Sequence, residues 1–198
     1  DAGTEGRVHV FYGGDGDSKA TLDPATRELL YRDLSQIPGS GVSGDYFGDD
    51  LAIGDLNGDL YDDLAITLPG YGATFGAVVT VYGGASGVTS WQTASQLIDQ
   101  GDVQESGGME AGDGYVMTVA IGNFDGDAYD DLAVGFPTED RVAVDDGYVA
   151  VIDGGASGLV TTSVQHLDQY DVGSTNPEVR DYFGRTLAAG DLDRDGYD

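Results

Sequence analysis

Apolar residues along this chain come in short alternating runs, each closed by glycine, proline or aspartate. Gly6-Arg7-Val8-His9-Val10-Phe11-Tyr12-Gly13-Gly14 is one. Gly76-Ala77-Val78-Val79-Thr80-Val81-Tyr82-Gly83-Gly84 and Gly147-Tyr148-Val149-Ala150-Val151-Ile152-Asp153-Gly154-Gly155 repeat its form. Weaker apolar segments follow at 27–33, 94–99 and 163–168. Other apolar stretches end in Leu51-Ala52-Ile53-Gly54, Val119-Ala120-Ile121-Gly122 and Leu187-Ala188-Ala189-Gly190, and the runs Leu64-Ala65-Ile66 and Leu132-Ala133-Val134 stop near Pro69 and Pro137. Short Val-, Ile-, Tyr- and Phe-rich runs bounded by turn formers predict strands. No window sustains a helical period. Residues 24–30 could form one helical turn, but the matching segments of the other repeats favour a strand there.

The pattern repeats. Asp55-Leu56-Asn57-Gly58-Asp59-Leu60-Tyr61-Asp62-Asp63 returns as Asn123-Phe124-Asp125-Gly126-Asp127-Ala128-Tyr129-Asp130-Asp131, then as Asp191-Leu192-Asp193-Arg194-Asp195-Gly196-Tyr197-Asp198. First positions 55, 123 and 191 are spaced by 68 residues both times. Each repeat therefore holds four short strands, A to D, in a meander. A four-stranded antiparallel sheet at a fixed period predicts an all-β chain of propeller blades. The divisions expected are strands C and D of one blade at 1–44, full repeats at 45–112 and 113–180, and the start of a further repeat at 181–198. Such a chain is a partial propeller, its remaining blades supplied by the same or another chain.

The acidic stretch is the A–B turn, and its spacing carries chemistry. Oxygen side chains stand at loop positions 1, 3, 5 and 9, as a loop curled around a hard cation requires. The expected ligands are Asp55, Asn57, Asp59 and Asp63, with the backbone carbonyl of Tyr61. In the second loop they are Asn123, Asp125, Asp127, Tyr129 and Asp131; in the third, Asp191, Asp193, Asp195 and Tyr197. Many flexible oxygen donors favour calcium (Ca2+) over Mg2+, which demands a tight octahedron. The lack of nearby Cys or His disfavours Zn2+. Only the third loop has glycine at position 6, Gly196, whereas Leu60 and Ala128 fill it in the others. If that position needs positive φ, each costs on the order of 1 kcal/mol, so affinity falls at the weak, extracellular end of about 10⁻⁴–10⁻³ M. The ion braces a turn and performs no reaction.

Charge narrows the partners. The 198 residues carry 36 acidic against 8 basic side chains, a formal net charge of −28. That excludes a phosphate-binding footprint, so nucleic acid is not expected. Cation ligands, a solvated acidic surface and plain solubility all remain open as reasons for it. There are no cysteines, hence no disulfides or thiolate metal site. No run approaches the ~20 apolar residues of a membrane span, so no direct membrane insertion is expected.

The Phe-Gly pairs at 47–48 and 183–184, the Asp-x-Asx-x-Asp loops and the Leu-Ala-x-x-x-Pro runs resemble FG-GAP repeats. The middle repeat departs, with Tyr115-Val116 in place of Phe-Gly. The resemblance implies a seven-bladed propeller like that heading integrin α subunits, also found in bacterial secreted proteins. At this period seven blades need about 476 residues. It further implies an extracellular or cell-surface adhesion, ligand-binding or scaffold module.

Meander topology puts the A–B and C–D turns at one end of each blade and the longer B–C and D–A connections at the other. Long loops on a rigid frame are where binding resides, and the resemblance puts ligand there too. A protein or carbohydrate ligand is expected on that face, with Tyr71, Phe75, Glu139, Asp140 and Arg141 as candidate contacts. The alternative is the propeller of a secreted enzyme acting on polysaccharide or phospholipid. It would need His, Tyr, Arg or Lys clustered at a central channel, and no Gly-x-Ser-x-Gly elbow occurs. Dockerin-like modules share the loop but continue into helices. His9 and His166 read as surface or inter-blade residues, and Trp91 as outer-edge packing.

Overall fold

The computed structural model describes residues 6–13, 27–39, 41, 43–73, 76–88, 94–103, 118–141, 143–173 and 177–198. Strands β1 (Val8–Val10) and β2 (Glu28–Leu30) pair as a first, two-stranded sheet. The second sheet has the order β3 (Leu51–Gly54), β4 (Asp63–Leu68), β5 (Ala77–Val81), β6 (Gln96–Asp99). The third repeats it with β7 (Thr118–Gly122), β8 (Asp131–Phe136), β9 (Tyr148–Ile152) and β10 (Val164–Leu167). All pairings are antiparallel, with Leu51 opposite Ile66 in one sheet and Val119 opposite Val134 in the next. The architecture is all-β, a partial propeller of four-stranded blades.

Strands β4, β5, β8 and β9 are buried at every residue. Stacking explains this, since the second sheet lies between the first and third and the outer face of the third is covered by Phe124, Phe183 and Leu187, so the inner strands read apolar on both sides. One core lies between the first and second sheets, around Leu30, Phe47, Ile66 and Val79. Another lies between the second and third, around Leu56, Tyr82, Leu132 and Phe136. The Phe-Gly corners at 47–48 and 183–184 each seat their repeat on the one before. A side chain at Gly48 would strike Val8 of β1, and one at Gly184 would meet the Tyr148 carbonyl of β9. The residue before that corner is left-handed, at φ 55 in Tyr46 and 53 in Tyr182. The middle repeat has Gly114 there, outside the described residues, as is its Tyr115-Val116 variant.

Three details depart from the sequence reading. The strand A expected at 185–190 does not form, and those residues run as bends and irregular chain. No described strand pairs with it, and a lone strand has no ladder to satisfy its backbone. Phe183 and Leu187 still pack on the outer face of the third sheet. A single helical turn, α1 (Gln100–Val103), follows β6 where only loop was expected, and Tyr71–Ala73 forms a 3₁₀ turn. The acidic loops at 55 and 123 run into β4 and β8, which removes the dockerin-like reading.

Candidate metal centres

The first two acidic loops join strand A to strand B, and all three fold on their own side chains. In the first, Asp55 Oδ1 accepts from the Asp59 N–H at 3.0 Å and Oδ2 from the Leu60 N–H at 2.8 Å. Asn57 Oδ1 also accepts from Asp59 N–H, and Asp59 Oδ1 from Tyr61 N–H, both at 3.0 Å. The last two are Asx turns, in which a short polar side chain stands in for a backbone carbonyl. The second loop repeats them. Asn123 Oδ1 accepts from Gly126 N–H, Asp125 Oδ1 from Asp127 N–H and Asp127 Oδ1 from Tyr129 N–H. In the third, Asp191 accepts from the N–H groups of Arg194 and Gly196, and Asp195 from that of Tyr197.

Position 4 is left-handed in all three loops, at φ 71 in Gly58, 79 in Gly126 and 68 in Arg194. Position 6 is left-handed in only two, at φ 70 in Leu60 and 94 in Gly196. The strain expected at Leu60 is therefore present, whereas Ala128 escapes it. The sequence reading weighed position 6 and missed position 4, although Gly58 and Gly126 marked it.

The residues fit a hard divalent cation by the chemistry of their donor set. Among the described residues, Asp191, Asp193 and Asp195 bring carboxylate oxygens within 4.8 Å of one another, all three exposed. In sequence the first loop offers carboxylates at 55 and 59 and the Asn57 amide, and the second carboxylates at 125 and 127 and the Asn123 amide. The position-9 carboxylates also accept from backbone N–H groups. Asp63 is fully buried, with Oδ2 accepting from Leu56 N–H at 2.9 Å and Oδ1 from Gly83 N–H at 2.8 Å. Asp131 holds Phe124 N–H at 3.0 Å and Gly154 N–H at 2.9 Å in the same way. Each ties its loop to the glycine pair that ends strand C. Burial pushes the Asp63 carboxyl up to about 7, against the opposing pull of those two N–H donors. Burial likewise raises Asp131.

Position 8, which the sequence reading passed over, links one repeat to the next. Asp130 Oδ2 accepts from the Asp55 N–H at 2.8 Å, and Asp198 Oδ2 from the Asn123 N–H at 2.9 Å. The reciprocal bonds run from Asp130 N–H to the Asp55 carbonyl and from Asp198 N–H to that of Asn123, both 3.0 Å. The position-7 rings join in, Tyr129 lying against Gly58 and Tyr197 against Gly126. The recurring Tyr-Asp pair at positions 7 and 8 was the available signal.

The opposite end carries the other candidates. Tyr71 is half-buried, its ring 5.7 Å from the guanidinium carbon of buried Arg32. Glu139 is buried and accepts from Gln100 Nε2 at 2.5 Å, joining the B–C loop of one blade to the D–A connection of the blade before. Asp140 is exposed and accepts from the Asp145 N–H at 2.6 Å. Arg141 sits 5.4 Å from the centre of the Tyr148 ring and 3.8 Å from Asp168. Phe75 lies outside the described residues, as does Trp91. His166 Nε2 is 2.5 Å from the Val103 carbonyl, an inter-blade contact, and His9 stacks on Phe11.

The family model described as FG-GAP repeat matches residues 115–152, which span the second acidic loop with β7, β8 and β9. Human integrin alpha-6 is 30% identical over 181 residues, covering 85% of this chain and 14% of its own length. Integrin alpha-6 of Gallus gallus is 27% identical over 163 residues, covering 80% of this chain and 13% of its own length. The chain thus spans about one seventh of the length of these relatives.

Proposed function

The chain belongs to the FG-GAP repeat, integrin α-like family, and from that premise we propose that it is a calcium-braced propeller segment of an extracellular or cell-surface protein, serving adhesion or ligand binding. The observation that carries the cation is the recurrence of one oxygen-donor loop at a 68-residue spacing. Asp55, Asn57 and Asp59, then Asn123, Asp125 and Asp127, then Asp191, Asp193 and Asp195 supply the side chains. Hard oxygen donors on a flexible loop suit Ca2+ better than Mg2+. When bound, the ion neutralises crowded carboxylates and holds the A–B hairpin closed. The chain's own residues do the rest, since Asp63 and Asp131 anchor the loop to strand C and Asp130 and Asp198 carry the order to the preceding repeat.

The proposed ligand face is the end bearing the B–C and D–A connections, where Asp140 is exposed. The ligand is a protein or carbohydrate, and the module itself is not an enzyme. Among the described residues, no helix is long and apolar enough to cross a membrane. Calorimetric titration tests the cation. Calcium is expected to bind with Kd about 10⁻⁴–10⁻³ M, with magnesium at least tenfold weaker. No calcium heat, or equal response to both ions, sinks the reading.

A further inference from the structure

The first two acidic loops are matched in charge but not in backbone. Each offers three carboxylates and one amide, as Asp55, Asn57, Asp59 and Asp63 in the first and Asn123, Asp125, Asp127 and Asp131 in the second. Leu60 is held left-handed at φ 70, whereas its counterpart Ala128 has no positive φ. A β-carbon in that conformation crowds the following carbonyl. The Leu60 side chain is 90% exposed, so no packing offsets the strain. An open loop lets Leu60 return to ordinary backbone, so closing the first loop on an ion carries a cost that closing the second does not.

The two loops also touch, and through the residues expected to hold the second ion. Tyr129 is the position-7 carbonyl donor of the second loop, and its ring lies against Gly58 of the first. Asp130 Oδ2 accepts from the Asp55 N–H at 2.8 Å, while the Asp130 N–H donates to the Asp55 carbonyl at 3.0 Å. A second line starts at Asp131, whose Oδ1 accepts from the Gly154 N–H at 2.9 Å. The next residue, Gly155, donates to the Leu56 carbonyl at 3.0 Å. A β-carbon at Gly154 would come within 2.1 Å of the Asp130 carbonyl oxygen and 2.8 Å of that of Leu56, so glycine keeps this line short. Positions 7, 8 and 9 of one loop thus reach positions 1, 2 and 4 of the other.

Resting on the calcium reading above, we propose that the second loop fills before the first and, once filled, tightens it, with Tyr129 and Asp130 as the positioning residues. An ion in the second loop fixes the backbone of residues 129–131. Asp55, Leu56 and Gly58, which lean on that backbone, are then already ordered when the first loop takes its own ion. Binding that orders a shared element favours the next binding event even where no shape changes. Such coupling is reciprocal in free energy. The order of filling therefore comes from the strain at Leu60 and not from the direction of the contacts.

The test titrates calcium into the full chain and follows the amide resonances of Gly58 and Gly126 by NMR, one for each loop. Asp193→Ala silences the third loop, and about 0.5 M sodium chloride screens the exposed charges. Gly126 is expected to respond at about twofold lower calcium than Gly58, and Leu60→Gly to remove that lag. Asp125→Asn with Asp127→Asn keeps both turn acceptors but empties the second loop, and should raise the calcium needed at Gly58 about threefold or more. Asp59→Ala should raise that needed at Gly126 by less, because the second loop fills mostly while the first is still empty. With Tyr129→Ala and Asp130→Ala together, the Gly126 shift persists as the check on folding, and Gly58 should no longer depend on whether the second loop is emptied. Asp130→Asn, which keeps an acceptor for the Asp55 N–H, should preserve the coupling. A Gly58 response that ignores the state of the second loop, or coupling that survives loss of both Tyr129 and Asp130, overturns this proposal alone. No calcium shift at either glycine overturns the cation reading and this proposal with it.

Discussion

At the scale of single residues, acidic side chains of one loop divide into two kinds of work. Asp59 is exposed and bonded only within its turn, whereas Asp63 is fully buried with both oxygens on backbone N–H groups. Replacing Asp63 by Ala strands the Leu56 and Gly83 donors away from water, and each stranded donor costs about 1–3 kcal/mol. The relief of a buried charge, whose burial already pushes its pKa up to about 7, offsets some of that loss. A net loss of about 2–4 kcal/mol is expected in urea unfolding, and it should persist in EDTA. Asp59→Ala should shift stability by less than about 0.5 kcal/mol in EDTA yet remove the first loop's response to calcium. If both variants lose stability only when calcium is present, the division of labour is wrong.

Among elements, the joints between sheets matter more than the sheets themselves. Tyr82 ends strand C of the second blade, and its buried hydroxyl accepts from the Leu159 N–H of the third blade at 3.0 Å. Gln96 Oε1 accepts from the same N–H at 2.9 Å, and Gln96 Nε2 donates to the Leu159 carbonyl at 3.0 Å. In the preceding blade Tyr12 has the equivalent role, accepting from Val88 N–H at 2.8 Å. Because Gln96 remains, Tyr82→Phe should cost only about 1 kcal/mol, while Tyr82→Phe with Gln96→Leu leaves Leu159 N–H unpaired and should cost more than the sum of the single changes. Thermal unfolding of the two singles and the double checks this. The strands themselves were legible because the 68-residue period fixes A to D even where a single segment is weak, as at β6 and β10. The joints were not, because Asp130 and Asp55 are 75 residues apart and no alternation or loop spacing connects them. Position 9 has the spacing of a ligand, and the folded chain adds what the spacing does not tell, that its oxygens also accept from Gly83 N–H and Gly154 N–H.

For the whole molecule, a net charge of −28 on 198 residues opposes compaction through self-repulsion, and two agents can relieve it differently. Simple salt screens all charges beyond a Debye length of ~10 Å at 0.1 M, so in EDTA the melting temperature should rise smoothly with sodium chloride. Calcium acts at sites and should saturate. With Kd about 10⁻⁴–10⁻³ M and calcium at about 10 mM, each occupied loop adds about 1.4–2.7 kcal/mol. For a domain of this size that is roughly 3–10 °C per site. The screening contribution of the added ions is removed by comparing calcium with magnesium at equal ionic strength in about 0.5 M sodium chloride, where the diffuse term is already spent. A calcium increment that survives there belongs to the acidic loops, and it should shrink by one site's share in Asp59→Ala and again in Asp127→Ala. An increment that vanishes in high salt, or that magnesium matches, would mean that the aspartates act only as a diffuse field and that the hairpins close without an ion.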